Sequence, residues 1–145
     1  MIRQTEEQVR KVWTEADCVC FDVDSTVCQN EAIDELANFV GAGAQVERLT
    51  KEAMGGNMSF RQALQKRLDI IKPSTKNLED FNKRSKGCLL TPGIKELVDL
   101  LHKRKVHVYL VSGGFKITIY PVADTLSIDR KNVFANELLH DAQGN

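Results

Sequence analysis

Asp22 and Asp24 stand two residues apart at the end of an apolar run, in the stretch CFDVDSTV. On an extended strand, residues two apart face the same side, and a rise of about 3.3 Å per residue puts their carboxylates on the order of 6 to 7 Å apart. Like charges so placed repel unless something neutralises them. A hard divalent cation does so, and magnesium in particular takes one or two carboxylates while a substrate phosphate supplies another oxygen. Two further readings stand beside this one. The pair can cap a following turn, where Asp and Ser are common, or one carboxylate can be a covalent nucleophile with the other as proton donor and acceptor. A calcium loop is excluded, because it needs glycine at its sixth position and glutamate at its twelfth. Val27 and Ile33 stand there.

A second candidate is Ser112-Gly113-Gly114, directly after the apolar run 106–111. A small, glycine-rich turn between a strand and a helix offers a hydroxyl, backbone N–H groups and the positive helix end to a phosphate. Alone it reads equally as an ordinary turn; beside an acidic strand tip it reads as the other half of a phosphoryl site. His102, His107 and Tyr109 form no such constellation and are assigned no chemistry.

The elements that must hold these residues alternate between strand and helix. Thr5 and Gln8 form a capping box before Val9, Val12, Trp13 and Ala16, which recur at helical spacing. Residues 18–23 read as a strand covered on both faces, with Asp22 and Asp24 at its C-terminal end. Residues 31–85 read as helical throughout, with stops at Gly41, Gly55-Gly56 and before Pro73, and with Ser59 and Ser74 as caps. Thr91-Pro92-Gly93 then caps a helix carrying Ile94, Leu97, Val98 and Leu101. A strand at 106–111, a helix at 115–126 made uncertain by Pro121, and a strand at 131–138 follow. The expected fold class is α/β: a Rossmann-like parallel sheet core, incomplete at the C-terminus, with an inserted all-helical cap. The expected division is core at 1–27 and 87–145 and cap at 28–86.

Composition narrows the partners. Twenty basic against twenty acidic residues leave no net charge, so neither nucleic acid nor an anionic membrane is expected. No apolar run is long enough to span a bilayer and the N-terminus has no apolar signal core, so the expected location is the cytoplasm. Cys18, Cys20, Cys28 and Cys88 lack zinc-site spacing and are expected as reduced thiols, the first two buried on one strand face.

Taken in order, CFDVDSTV, Glu31-Ala32-Ile33-Asp34-Glu35-Leu36, Ala53-Met54-Gly55-Gly56, Thr91-Pro92-Gly93-Ile94 and Val111-Ser112-Gly113-Gly114-Phe115 resemble the phosphoserine phosphatases of the haloacid dehalogenase-like hydrolase superfamily. The resemblance implies a magnesium-dependent hydrolysis of O-phospho-L-serine to L-serine and phosphate, the last step of L-serine biosynthesis. It implies Asp22 as the nucleophile that becomes aspartyl-phosphate and Asp24 as the general acid and base. Asp22 through its side chain and Asp24 through its main-chain carbonyl would bind Mg2+. Ser112, Gly113 and Gly114 would cradle the phosphate, and Met54 and Gly55 would face the substrate from the cap. Arg67, on the same stripe as Phe60, Ala63, Leu64 and Ile71, would fork the substrate carboxylate, where the bland alternative is a snorkelling side chain. Glu31 would hold the ammonium, where the bland alternative is the acidic bias of a helix start. The expected partner is this small molecule, and a homodimer is left open.

The family continues after Asn136 with a phosphate-clamping lysine and a Gly-Asp-Gly-x-x-Asp metal loop, neither of which occurs in residues 137–145. This polypeptide is therefore expected to be a C-terminally truncated or partial chain, marginally folded and low in activity. The rival reading is a non-catalytic truncated paralogue acting as a binding or regulatory module.

Overall fold

The computed structural model describes residues 5–53, 58–84, 89–142 and 144. The chain runs α1 (Glu6–Glu15), β1 (Cys18–Phe21), a tight irregular turn (Val23–Val27), α2 (Ala32–Phe39), α3 (Gly43–Glu52), α4 (Phe60–Ile71), α5 (Thr75–Arg84), α6 (Ile94–Lys103), β2 (His107–Phe115), α7 (Lys116–Thr125) and β3 (Val133–Asn136). The sheet is parallel throughout, in the order β1-β2-β3, with Cys18 beside His107 and Leu110 beside Val133. The α/β class and the parallel sheet stand as the sequence implies.

Two apolar clusters hold the molecule. Val108, Leu110 and Val133 on one sheet face pack with Val98 and Leu101 of α6 and Ile119 and Val122 of α7. Leu36, Ala37, Val46, Ile71, Leu78 and Phe81, all from α2 to α5, form the second, joined by Ile117 of α7 and Leu138. Between them, the outgoing and returning segments run antiparallel: Gln29 N donates to Leu89 O at 2.8 Å and Thr91 N to Val27 O at 2.9 Å.

Several expectations are corrected. The expected helix after Thr91 is instead entered through Gly93 at φ +84°, and the Thr91 hydroxyl donates to Thr26 O at 2.6 Å. That threonine ties the returning segment to the turn after β1 rather than capping α6. Ser112-Gly113-Gly114 is not a turn between strand and helix; it lies within β2, where the register to β3 slips between Val111 and Phe115. Pro121 sits inside a continuous α7.

β1 is not covered on both faces: Cys18 and Cys20 are exposed with free thiols. The same sheet face carries exposed Val111 and Phe134. Cys28, fully buried, is disulfide-bonded rather than reduced, and its backbone also forms an isolated antiparallel bridge with Leu90. Cys88 lies outside the described residues. The stripe of α1 is likewise uncovered, since none of its residues is buried although its Thr5–Gln8 capping box forms as expected. No helix of the described residues is long and apolar enough to cross a membrane.

Candidate active site

The turn after β1 sets the site. Asp22 and Asp24 both keep extended backbone, φ −67° and −64°, and Ser25 then turns left-handed at φ +54°. This reversal stops the chain from continuing past β2 and sends it into the cap. Thr26 donates its hydroxyl to Asp22 Oδ2 at 3.4 Å, and the amide of Ala32, first residue of α2, donates to Asp24 Oδ1 at 3.0 Å. Each carboxylate keeps one oxygen without a hydrogen bond among the described residues.

Beside this strand tip lies the bulged end of β2. Ser112 Oγ accepts the Gly114 amide at 2.9 Å, which leaves the hydroxyl proton free to donate to a ligand. Space beside the glycines is tight: a Cβ at Gly114 would stand 3.1 Å from Asp24 Oδ2, and one at Gly113 would stand 3.3 Å from Phe60 Cζ, so in each case the neighbour would have to give way. Asn136 at the end of β3 donates to Gly113 O at 2.8 Å, fixing that carbonyl on the side of the third strand.

The cap supplies the remaining wall. Asp22, Asp24, Glu31, Arg67, Ser112, Gly113 and Gly114 all line one cavity of about 200 Å³. Glu31 precedes α2 but does not cap it; its carboxylate accepts the Ser25 hydroxyl at 2.5 Å instead. Arg67 Nε is buried without a hydrogen-bond partner among the described residues. A buried guanidinium N–H left unpaired costs free energy on the order of 1–3 kcal/mol, which an incoming anionic acceptor would recover. Met54 and Gly55 lie outside the described residues.

Electrostatics differ between the carboxylates. Burial pushes Asp24 above the ordinary carboxylate range, opposed by the Ala32 hydrogen bond and reinforced by the charges of Glu31, Asp22 and Asp34. Asp34, on α2, is also raised by burial, with Arg67 pulling against the rise. A carboxyl group held up in this way keeps its proton to higher pH, the property a general acid needs.

Sequence reasoning missed Phe60 as a site residue. It was expected on the buried stripe of α4, yet it is 69 % exposed and reaches from the cap to Gly113. Its place one residue after the Ser59 capping box puts it at the open end of the helix, which is the signal available in the sequence. Ser25 and Asn136 were also missed as supports.

Residues 16–142 match the haloacid dehalogenase-like hydrolase family. The chain belongs to that family. Among curated relatives, it is 48% identical over 139 residues to the chloroplastic phosphoserine phosphatase of Arabidopsis thaliana, covering 95% of this chain and 46% of that protein. It is 47% identical over 134 residues to the phosphoserine phosphatase of Rattus norvegicus, covering 92% of this chain and 59% of that protein. The haloacid dehalogenase-like fold also matches a substrate-bound phosphoserine phosphatase complex with a TM-score of 0.73 at 34% identity, over 90% of this chain and 60% of that one. A phosphoserine phosphatase carrying a phospho-aspartyl intermediate analogue matches with a TM-score of 0.71 at 35% identity, over 88% of this chain and 59% of that one. The chain thus spans about half the length of the curated relatives it matches.

Proposed function

We propose that the protein takes part in hydrolysis of O-phospho-L-serine to L-serine and phosphate, as the final step of L-serine formation. The observation that carries this reading is the single cavity in which two strand-tip carboxylates, the Ser112–Gly114 segment and an oppositely charged pair from the cap, Glu31 and Arg67, converge. We assign the core to 1–27 and 87–145 and the cap to 28–86; what supports this is the presence of two apolar clusters, although Cys28 belongs to the first and Ile117 and Leu138 join the second.

In this reading Asp22 attacks phosphorus through its unpartnered oxygen, forming a P–O bond to the carboxylate as the bond to the serine oxygen breaks. Asp24 delivers its proton to that leaving oxygen. It then takes a proton from the water that attacks the Asp22 phosphate, which restores both residues. Ser112 and the Gly113 and Gly114 backbone hold the phosphoryl oxygens. Arg67 receives the substrate carboxylate and Glu31 the ammonium, with Met54 and Gly55 assigned to the substrate side of the cap. The carboxylate of Asp22 and the main-chain carbonyl of Asp24 supply hard oxygens of the kind magnesium selects. Mg2+ bound there would neutralise charge on the phosphoryl group. We assign a small-molecule substrate, a cytoplasmic location and no nucleic-acid partner; a homodimer is tested by sedimentation.

The test is phosphate release from O-phospho-L-serine with magnesium, run in parallel on an Asp22→Asn variant. Release by the parent sequence that the variant abolishes supports the reading. Equal release by both overturns it, as does turnover of simple alkyl phosphates at the same kcat/KM as phosphoserine.

A further inference from the structure

We infer that Ser25 is the positioning residue for Glu31, and that its hydroxyl sets the preference of the cavity for a phosphoester carrying an ammonium group. This rests on the reading of Glu31 as the ammonium partner and extends it to a residue with no contact to substrate.

Three observations converge on Ser25. Its backbone is left-handed, φ +54° and ψ 16°, a region that an L-residue other than glycine, asparagine or aspartate seldom enters. Its hydroxyl, so directed, donates to Glu31 Oε1 at 2.5 Å. Glu31, in turn, stands at the N-cap of α2 and makes no capping bond to the helix, whose first amide, Ala32 N, is taken by Asp24 Oδ1 at 3.0 Å. The hydroxyl of Ser25 is thus the hydrogen-bond partner of the Glu31 carboxylate among the described residues.

The consequence is directional. With Oε1 held by Ser25, Oε2 is left as the acceptor in the cavity that also contains Arg67 and Asp22. A glutamate freed from that bond regains several rotamers, and fewer of its conformers meet a substrate cation. The turn itself is tied from outside: Ser25 N donates to Asn30 O at 3.4 Å, and Asn30 Oδ1 accepts Leu89 N at 3.2 Å from the returning segment. The hydroxyl is thus supplied by a fixed backbone, not by a mobile loop.

Two substitutions separate the hydroxyl from the backbone. Ser25→Gly keeps access to left-handed φ and removes the donor; Ser25→Asn tolerates the same φ and retains an N–H donor. Calorimetric titration of the 145-residue chain, without added magnesium, compares O-phospho-L-serine with 3-phosphooxypropanoate, the same molecule without its ammonium. The parent sequence is expected to prefer phosphoserine, Ser25→Gly to lose roughly three- to tenfold of that preference, and Ser25→Asn to keep most of it, with 3-phosphooxypropanoate binding equally to all three. If Ser25→Gly retains the full preference, the positioning role is wrong while the ammonium reading of Glu31 stands. If the parent sequence shows no preference, the reading of Glu31 itself fails and the positioning role with it.

Discussion

The carboxylate of Asp24 accepts the amide of Ala32 at 3.0 Å, so the tip of the first strand and the first residue of the cap helix α2 are joined directly. Asp24 Oδ1 is committed to this bond, while Oδ2 lies on the side of Gly114 and Ser112. The bond orients the acid without neutralising it, and burial then raises its pKa. Position and protonation are set by different neighbours.

An Asp24→Asn variant exploits that separation. The asparagine oxygen still accepts from Ala32 and the buried charge is gone, so the thermal midpoint at neutral pH should stay at or above that of the parent. The amide has no proton to give to a leaving alkoxide, and phosphoserine turnover should fall by about 10²–10⁴. Phosphate release and a melting curve on the same sample check both halves; a large drop in melting temperature would mean that the charge, not only the acceptor, is structural.

The two neighbouring glycines should respond differently to alanine. At Gly114 the new methyl meets Asp24 Oδ2 and Ser112 Oγ at 3.1 and 3.2 Å; Asp24 is held through its other oxygen and Ser112 through its own hydroxyl, so kcat should fall while stability changes little. At Gly113 the methyl meets only the end of the exposed Phe60 ring, at 3.3 Å. That ring can turn away, and the effect should appear as a modest rise in KM. Steady-state kinetics of the two variants distinguish the cases; matching effects on kcat would place the strain elsewhere.

The alternation of apolar runs with helical periodicity made the parallel sheet legible, and the Thr5 capping box and the Ser59 cap form where the sequence implies. Asp22, Asp24, Glu31, Arg67 and Ser112 were legible as residues, and the fold brings them to one cavity. What the pattern hid was long-range or conformational. An apolar strand reads as buried on both faces, yet covering Cys18 and Cys20 depends on elements elsewhere in the chain. Thr91 looks like a cap because local spacing carries no sign of Thr26, 65 residues away, whose carbonyl it reaches. Ser25 escaped notice because a left-handed serine follows from the crossing into the cap and not from local preference.

The middle of the sheet is the point of greatest sensitivity. Leu110 is fully buried and stands between Phe21 of β1 and Val133 of β3. Leu110→Ala should cost about 2–5 kcal/mol through lost transfer energy and the cavity left behind. Total stability is typically about 5–15 kcal/mol, so the urea midpoint should drop sharply. A midpoint shift equivalent to less than about 1 kcal/mol would show that the neighbours collapse into the space.

Asp34 gives a pH dependence with a defined sign. Burial raises its carboxyl above the usual 3.8, with Arg67 opposing. A carboxyl with a raised pKa in the fold contributes stability that is fully present below the unfolded value and is lost as pH rises through the folded value. At neutral pH the ionised side chain therefore weakens the fold. Asp34→Asn should raise the thermal midpoint at pH 7 and leave it unchanged at pH 3, where the parent residue is already neutral. In an Arg67→Leu background the opposing charge is gone, burial and the charges of Glu31, Glu35 and Glu47 act unopposed, and the stabilisation by Asp34→Asn at pH 7 should be larger. Melting curves of the four proteins at both pH values make the test; a gain that is equal at pH 3 and pH 7 would trace the effect to packing and not to charge.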